Sequence, residues 1–427
     1  MAQHLPSRRG LLALGGSALL SACGTPPRLP AVPRGQVGYA TIMGLPNERF
    51  YPTLKVDAYD NEIIERLALG QRLHGTTSAA NARPINLLAV SGGGEDGAYG
   101  AGVLCGWTDH GGRPDFDLVT GVSTGALTAP FAFLGSKYDH ALRDVYTNVT
   151  AIDILRQRPI TAAIFGDALA DNEPLYQTIT RYLTDEMLFE IGAAYNKGRL
   201  LLIGTTNLDA QVPVVWNVGA IAASGHPKAV DTIRRILLAS AAIPGAFPPV
   251  MIDAELDGRT YQEMHVDGGA VAQAFLYPAA LTVGRRDRVK RRQRVADITA
   301  YIIRNGRLDP QWASVDRRTM GIAARAIASM ISSSGYNDIV RIYFTTALDQ
   351  VGYRLAFIPP DFNVELREPF DQVYMRALFD RGFAEAKDGY RWHTVPPGVV
   401  SGQSVTGAPI TSAPNTGAPI IGPSVPG

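Results

Sequence analysis

Five residues, Gly121-Val122-Ser123-Thr124-Gly125, set a hydroxyl between two glycines. A serine in that spacing can act as a nucleophile when a strand runs into it and a helix leaves it. The sharp turn then lifts Oγ clear of the sheet. The helix start adds free backbone N–H groups and the positive end of the helix dipole, both aimed at an atom that gains negative charge. The flanking sequence has that form: the apolar run from Phe116 to Val119 enters the turn, and Ala126, Leu127, Ala129, Phe131 and Ala132 leave it in a small-residue helical pattern. Taken alone, the five residues are also an ordinary turn.

A second glycine cluster, Gly92-Gly93-Gly94, follows the near-continuous apolar run Ile85–Ser91, as expected of a strand buried on both faces. Gly92, Gly94 and Gly97 satisfy the dinucleotide spacing G-x-G-x-x-G, but that use needs an acid at the end of the following strand. Here Asp115 and Asp117 come before that strand, and it ends in Gly121-Val122-Ser123. The other use of such a loop is to present backbone N–H groups to an anion, including the oxyanion of acyl transfer. A serine nucleophile also needs a base. Of seven histidines only His393 follows a plausible acid in the order Ser…Asp…His. Asp267 is the other choice, at the end of a strand-like stretch and before Gly268-Gly269, although Asp-Gly-Gly is by itself a turn signal. His265, two residues earlier, shares its strand face and is either a helper or a structural histidine.

The order of these three pieces resembles the patatin-like phospholipase family: glycine loop after one strand, G-x-S-x-G after the next, Asp-Gly-Gly far downstream. The resemblance spans roughly Ile85 to Leu308 and includes Asn172-Glu173-Pro174-Leu175, Thr205-Thr206-Asn207-Leu208-Asp209 with Pro213-Val214-Val215, and the segment Ala239 to Pro249. It implies a three-layer α/β fold, with a mainly parallel central sheet flanked by helices. It also implies a Ser–Asp dyad, with Ser123 as nucleophile and Asp267 as its base, and an oxyanion hole on Gly92, Gly93 and Gly94. Gly121, Gly125, Gly268 and Gly269 support the two turns. No metal and no cofactor are called for. The implied substrate is a phospholipid or related fatty-acyl ester. A free aspartate is too acidic to be an efficient base, so the site must be apolar enough to raise its pKa. The chain departs from the family at Asp96, where Arg or Lys is common. With Glu95 it is expected to face solvent and favour the helix start.

Positioning these residues takes strands alternating with helices, which the remaining patterns supply. Strands are expected at Leu200–Gly204, Val212–Asn217, His265–Asp267, Ile298–Ile303 and Tyr353–Ile358. Helices are expected at Asn61–Leu73, Pro174–Leu183, Asp231–Ala241, Met320–Ser332 and Phe370–Ala386. Ahead of them, Arg8-Arg9 and the apolar run Leu11–Leu20 read as an export leader, too short to span a bilayer. Leu20-Ser21-Ala22-Cys23-Gly24 resembles a lipobox, which makes residues 1–22 a signal peptide and Cys23 a lipid anchor. The envelope, at the outer membrane facing the periplasm, is the expected location.

The expected organisation is a tether and helix over 23–81, a catalytic core over 82–308, its completion over 309–395, and a disordered Pro/Gly-rich tail over 396–427. Cys105 is the only other cysteine and reads as a small buried residue. A net charge of +1 over 427 residues gives no sign of a nucleic-acid partner. The basic run Arg285–Arg294 reads as a solvated loop, or as a contact for anionic head groups. Two other readings remain open: a non-catalytic lipid-binding envelope lipoprotein, and a carboxylesterase for small esters.

Overall fold

The computed structural model describes residues 27–75, 82–158, 167–277, 283–293 and 295–399. The expected leader, Cys23 and the tail from residue 400 lie outside them. Contacts divide the chain into one unit up to Pro397 and a second from Gly398, with every described helix and strand in the first. In chain order the strands are β1 (Arg49–Phe50), β2 (Ile85–Val90), β3 (Leu118–Val122), β4 (Arg156–Gln157), β5 (Ala170–Asp171), β6 (Leu200–Asn207), β7 (Val212–Asn217), β8 (Val250–Leu256), β9 (Arg259–Asp267), β10 (Ile298–Arg304) and β11 (Gly352–Phe357). The helices are α1 (Val56–Leu73), α2 (Gly97–Asp109), α3 (Thr124–Leu134), α4 (Asp139–Thr147), α5 (Ala151–Ile154), α6 (Glu173–Tyr182), α7 (Asp185–Asn196), α8 (Val218–Ala223), α9 (Ala229–Ser240), α10 (Val283–Lys290), α11 (Thr319–Asp349) and α12 (Gln372–Lys387).

The main sheet runs β1-β7-β6-β3-β2-β10-β11, with β9 on the edge of β6 and β8 on β9. The five strands from β6 to β11 along this path are parallel, whereas β1, β7, β8 and β9 pair antiparallel. Parallel strands covered on both faces must be apolar on both faces, and β2 obeys this. Leu88 and Val90 enter one core cluster, Leu87 and Ala89 the other. Helices α2, α3, α4, α9 and α12 supply the first cluster, while α1 and the C-terminal half of α11 (Ile339, Ile342) supply the second. These are the three expected layers.

The segment after residue 309 is built into this architecture, since β11 extends the sheet and α12 lies on α2. Their backbones nearly touch: a Cβ on Gly102 or Gly106 would stand 2.1 or 2.2 Å from the carbonyl oxygens of Phe379 and Phe383. Residues 27–50, proline-rich at their start, are bonded to the core as well. Arg28 forms a two-pronged ion pair with Asp209 at 2.8 Å, and β1 pairs with β7. The basic run is largely helical rather than a loop, because its first arginines have partners. Arg285 donates to the carbonyls of Asp349, Ala296 and Gln350, and Arg286 pairs with Asp349. Arg288, Lys290, Arg291 and Arg292 remain exposed, and Arg294 lies outside the described residues. Cys105 is buried as expected, which pushes its thiol up to about 12.

Candidate active site

Two neighbouring parallel strands, β2 and β3, end at the same edge of the sheet, so the glycine loop and the serine turn emerge side by side. Ser123 has φ 56° and ψ −127°, a left-handed conformation that L residues avoid and that surrounding structure must hold. The two flanking glycines are required by close approach rather than freedom. A Cβ on Gly121 would lie 2.5 Å from the Gly125 carbonyl oxygen, and one on Gly125 would lie 2.2 Å from that of Val90. The turn is further fixed by Ser240 at the end of α9, whose Oγ accepts from the Ser123 N–H at 3.0 Å and donates to the Gly204 carbonyl at 2.7 Å.

The edge of β6 explains how Asp267 reaches the serine. β3 leaves that edge at Val122, opposite Gly204, and β9 takes it over with Asp267 opposite Thr205. The carboxylate is therefore delivered to where the serine strand stops. A Cβ on Gly268 would press within 2.5 Å of the Gly204 carbonyl, so the turn after Asp267 must also be glycine there. Asp267 is 5% exposed and accepts from the Gly269 N–H at 2.7 Å. Burial raises its carboxyl to about 6, with the Ser123 side chain and the Gly269 N–H drawing it back down. Ser123 is thus a hydrogen-bonding neighbour of the carboxyl without being closed onto it in a full hydrogen bond. Such contacts often tighten only when substrate is bound.

The three loop glycines do different work. Gly92 N–H donates to the Gln273 carbonyl at 3.1 Å, so it is not available to an oxyanion, contrary to the expectation for all three. The N–H groups of Gly93 and Gly94 have no acceptor among the described residues. Gly93 lies so close to Asn305 that a Cβ would stand 1.9 Å from the Asn305 carbonyl oxygen. Buried residues hold the loop from behind. Arg304 donates to the Gly92 carbonyl (2.8 Å) and Ser91 Oγ (3.1 Å), and the Asn305 side chain bridges Ser91 O and Gly100 N–H. Gly93→Ala is therefore expected to push the loop off Asn305 and cut ester turnover by about 10²–10³-fold, the usual cost of one oxyanion donor. Steady-state rates on a soluble ester, with a circular-dichroism melt to check folding, measure it.

Glu95 and Asp96 do not face open solvent as expected. Asp96 accepts from the Tyr374 hydroxyl of α12 at 2.5 Å and makes no side-chain cap on α2. Burial raises its carboxyl to about 6, while Tyr374 and the nearby Arg304 and Arg307 oppose the rise. Burial also raises Glu95. His265 is no partner of Asp267. It is fully buried, with Nε2 3.1 Å from Glu263 and Nδ1 3.0 Å from Thr205, inside a network anchored by the Arg49–Glu263 pair. His393 bridges to Leu355 of β11, which is three strands away from β3.

Ser123, Gly94 and Glu95 open onto a narrow apolar cleft whose walls include Leu127, Phe131, Leu175, Ile179, Leu237 and Met375. Ser240, Gln273, Arg304 and Asn305 were not singled out from the sequence. Ser240 lay within the segment Ala239–Pro249, but only its contact with the Ser123 N–H gives it a role.

Residues 88–280 match the family model described as patatin-like phospholipase. Among solved structures the chain is similar to VipD from Legionella pneumophila, at 12% identity and a TM-score of 0.32, over 72% of this chain and 67% of that one. No curated protein matches the sequence.

Proposed function

We propose that the chain, whose residues 88–280 match the patatin-like phospholipase model, is a serine acyl hydrolase that cleaves fatty-acyl esters of phospholipids through Ser123 and Asp267. The observation that carries this reading is a serine held at a positive φ on the wall of an apolar cleft, beside a buried carboxylate. The cleft accepts an acyl chain, and its apolar walls exclude water from it. Ser123 Oγ attacks the ester carbonyl while Asp267 takes the hydroxyl proton. The N–H groups of Gly93 and Gly94 stabilise the oxyanion, and the departing alcohol takes the proton back from Asp267. Water, deprotonated by the same carboxylate, then releases the fatty acid and restores the serine.

A carboxyl raised to about 6 suits this work, because it is ionised at neutral pH yet much more basic than a free aspartate. The base acts only when ionised. kcat/KM is therefore expected to rise with pH through a midpoint near 6 and to level off above it. Asp96→Asn should leave that midpoint in place, although Asp96 titrates in the same range. A profile flat between pH 5 and 8, on roughly that scale, removes Asp267 as the base. Fluorophosphonate labelling of Ser123, absent in Ser123→Ala, tests the nucleophile. A chain that resists labelling but binds lipid fits the non-catalytic reading instead. Comparison of short with long acyl chains separates a small-ester carboxylesterase.

We further propose that the leader is removed before Cys23 and that Cys23 is acylated, holding the protein at the outer membrane facing the periplasm. The lipobox-like residues Leu20–Gly24 support this. Incorporation of a labelled fatty acid that disappears in Cys23→Ser is the expected result.

A further inference from the structure

Helix α11 lives in two environments. Its C-terminal half carries Ile339 and Ile342 into the core. Its N-terminal half from Ile322 to Ser333 is exposed or nearly so along its whole length. Ile327 is 54% exposed, Met330 70%, and Trp312, just ahead of the helix, 89%. Helical spacing puts Ala323, Ile327, Met330 and Ile331 on one face and Arg325, Ser329 and Ser332 on the other. Arg325 donates to the Gln311 carbonyl, which ties the stretch bearing Trp312 to the helix. Arg317, Arg318 and Arg325 supply positive charge, and no Asp or Glu occurs from residue 317 to 337.

This surface is continuous with the catalytic loop. Trp312 and Leu366 line a groove together with Gly93, Arg307 and the acids Glu95, Asp96 and Glu365, and Glu95 also lines the acyl cleft. Among the described residues no helix is long and apolar enough to cross a membrane. An apolar stripe flanked by arginines and carrying a tryptophan is instead the composition of a helix that lies in the head-group plane.

We propose that Trp312 and the N-terminal half of α11 dock on the surface of an anionic bilayer and set the mouth of the Ser123 cleft against it. Delivery of substrate to the cleft rests on the acyl-hydrolase reading; the docking itself does not. Charge favours this occupant, since the arginines complement anionic head groups, whereas a second copy would bring the same arginines against one another.

The test uses the full chain with Cys23→Ser, so that no acyl anchor contributes. It is floated with vesicles of phosphatidylglycerol and phosphatidylcholine, or of phosphatidylcholine alone. The chain is expected to float with the anionic vesicles, and Ile327→Ser/Met330→Ser to lower partitioning by roughly 10-fold or more. Arg317→Gln/Arg318→Gln should lower it on anionic vesicles only. Tryptophan emission should shift to the blue on binding, and Trp312→Phe should remove that shift while retaining most binding. Hydrolysis of a soluble short-chain ester should be unchanged in Ile327→Ser/Met330→Ser, and hydrolysis of vesicle lipid reduced. If the chain floats, Ile327→Ser/Met330→Ser lowers that binding and no ester is hydrolysed, the docking stands and the hydrolase is refuted. The docking is overturned if the chain stays unbound, or if both variant pairs float as before, which assigns binding to another surface such as Arg288–Arg292. It is equally overturned if the chain sediments as a dimer that Ile327→Ser/Met330→Ser dissociates.

Discussion

Ser123→Ala is expected to lower ester hydrolysis by about 10⁴-fold or more, because removing a nucleophile that acts with its base as one unit costs nearly all of their joint effect. The cleft walls and the Gly93–Gly94 amides stay in place, so long-chain ester binding should persist while turnover vanishes. Backbone strain separates this variant from a second one. At φ 56° alanine remains strained, whereas glycine does not. Ser123→Gly should therefore be inactive yet more stable than Ser123→Ala by roughly 1 kcal/mol. Single-turnover kinetics and chemical denaturation of the pair provide the measurement. If both variants retain the rate of the parent chain, another group carries the nucleophile.

Asp267→Asn is expected to abolish activity to a similar degree while making the protein harder to unfold. Burial raises the Asp267 carboxyl from 3.8 to about 6 in the folded chain. The folded state thus favours the protonated form. Its contribution to stability is fully present below the unfolded value near 3.8, and is lost as pH rises through 6. Above pH 6 the fold carries an ionised carboxylate at a cost of roughly 3 kcal/mol. Asparagine is neutral at every pH and can still accept from the Gly269 N–H. The variant should therefore exceed the parent in denaturant midpoint at pH 8, with the gap closing as pH falls to 4. Equal midpoints at pH 8 would mean that Asp267 is not desolvated enough to serve as the base proposed for it.

Local sequence alone specified much of this protein. β2 and β3 are short, apolar on both faces and stopped by glycines, so periodicity places them and the two turns that follow. Elements whose order comes from distant partners were less legible. β8 was missed although Val250, Ile252 and Ala254 alternate inward and Asp257-Gly258 turns it onto β9; its other contact, the bridge from Glu255 to Thr41, spans more than 200 residues. Helix α11 was foreseen over Met320–Ser332 but runs on to Asp349. That second half is held by Ile339 and Ile342 against strands far away in the chain. Asp96 was expected in solvent because its partner, Tyr374, is supplied by α12, 278 residues downstream.

Residue type and spacing therefore determined which groups could react: a serine between glycines, a glycine loop, an aspartate before two glycines. The tertiary structure decided which of them meet. A single sheet edge, vacated by β3 at Val122 and occupied by β9 at Asp267, brings Asp267 to the turn that carries Ser123. The same packing assigns Gly92 N–H to Gln273, leaves the N–H groups of Gly93 and Gly94 without an acceptor among the described residues, and keeps His265 in a network of its own. The physical reason is range: turn geometry and strand burial act over a few residues, whereas hydrogen-bond partners and desolvation depend on contacts between segments more than a hundred residues apart.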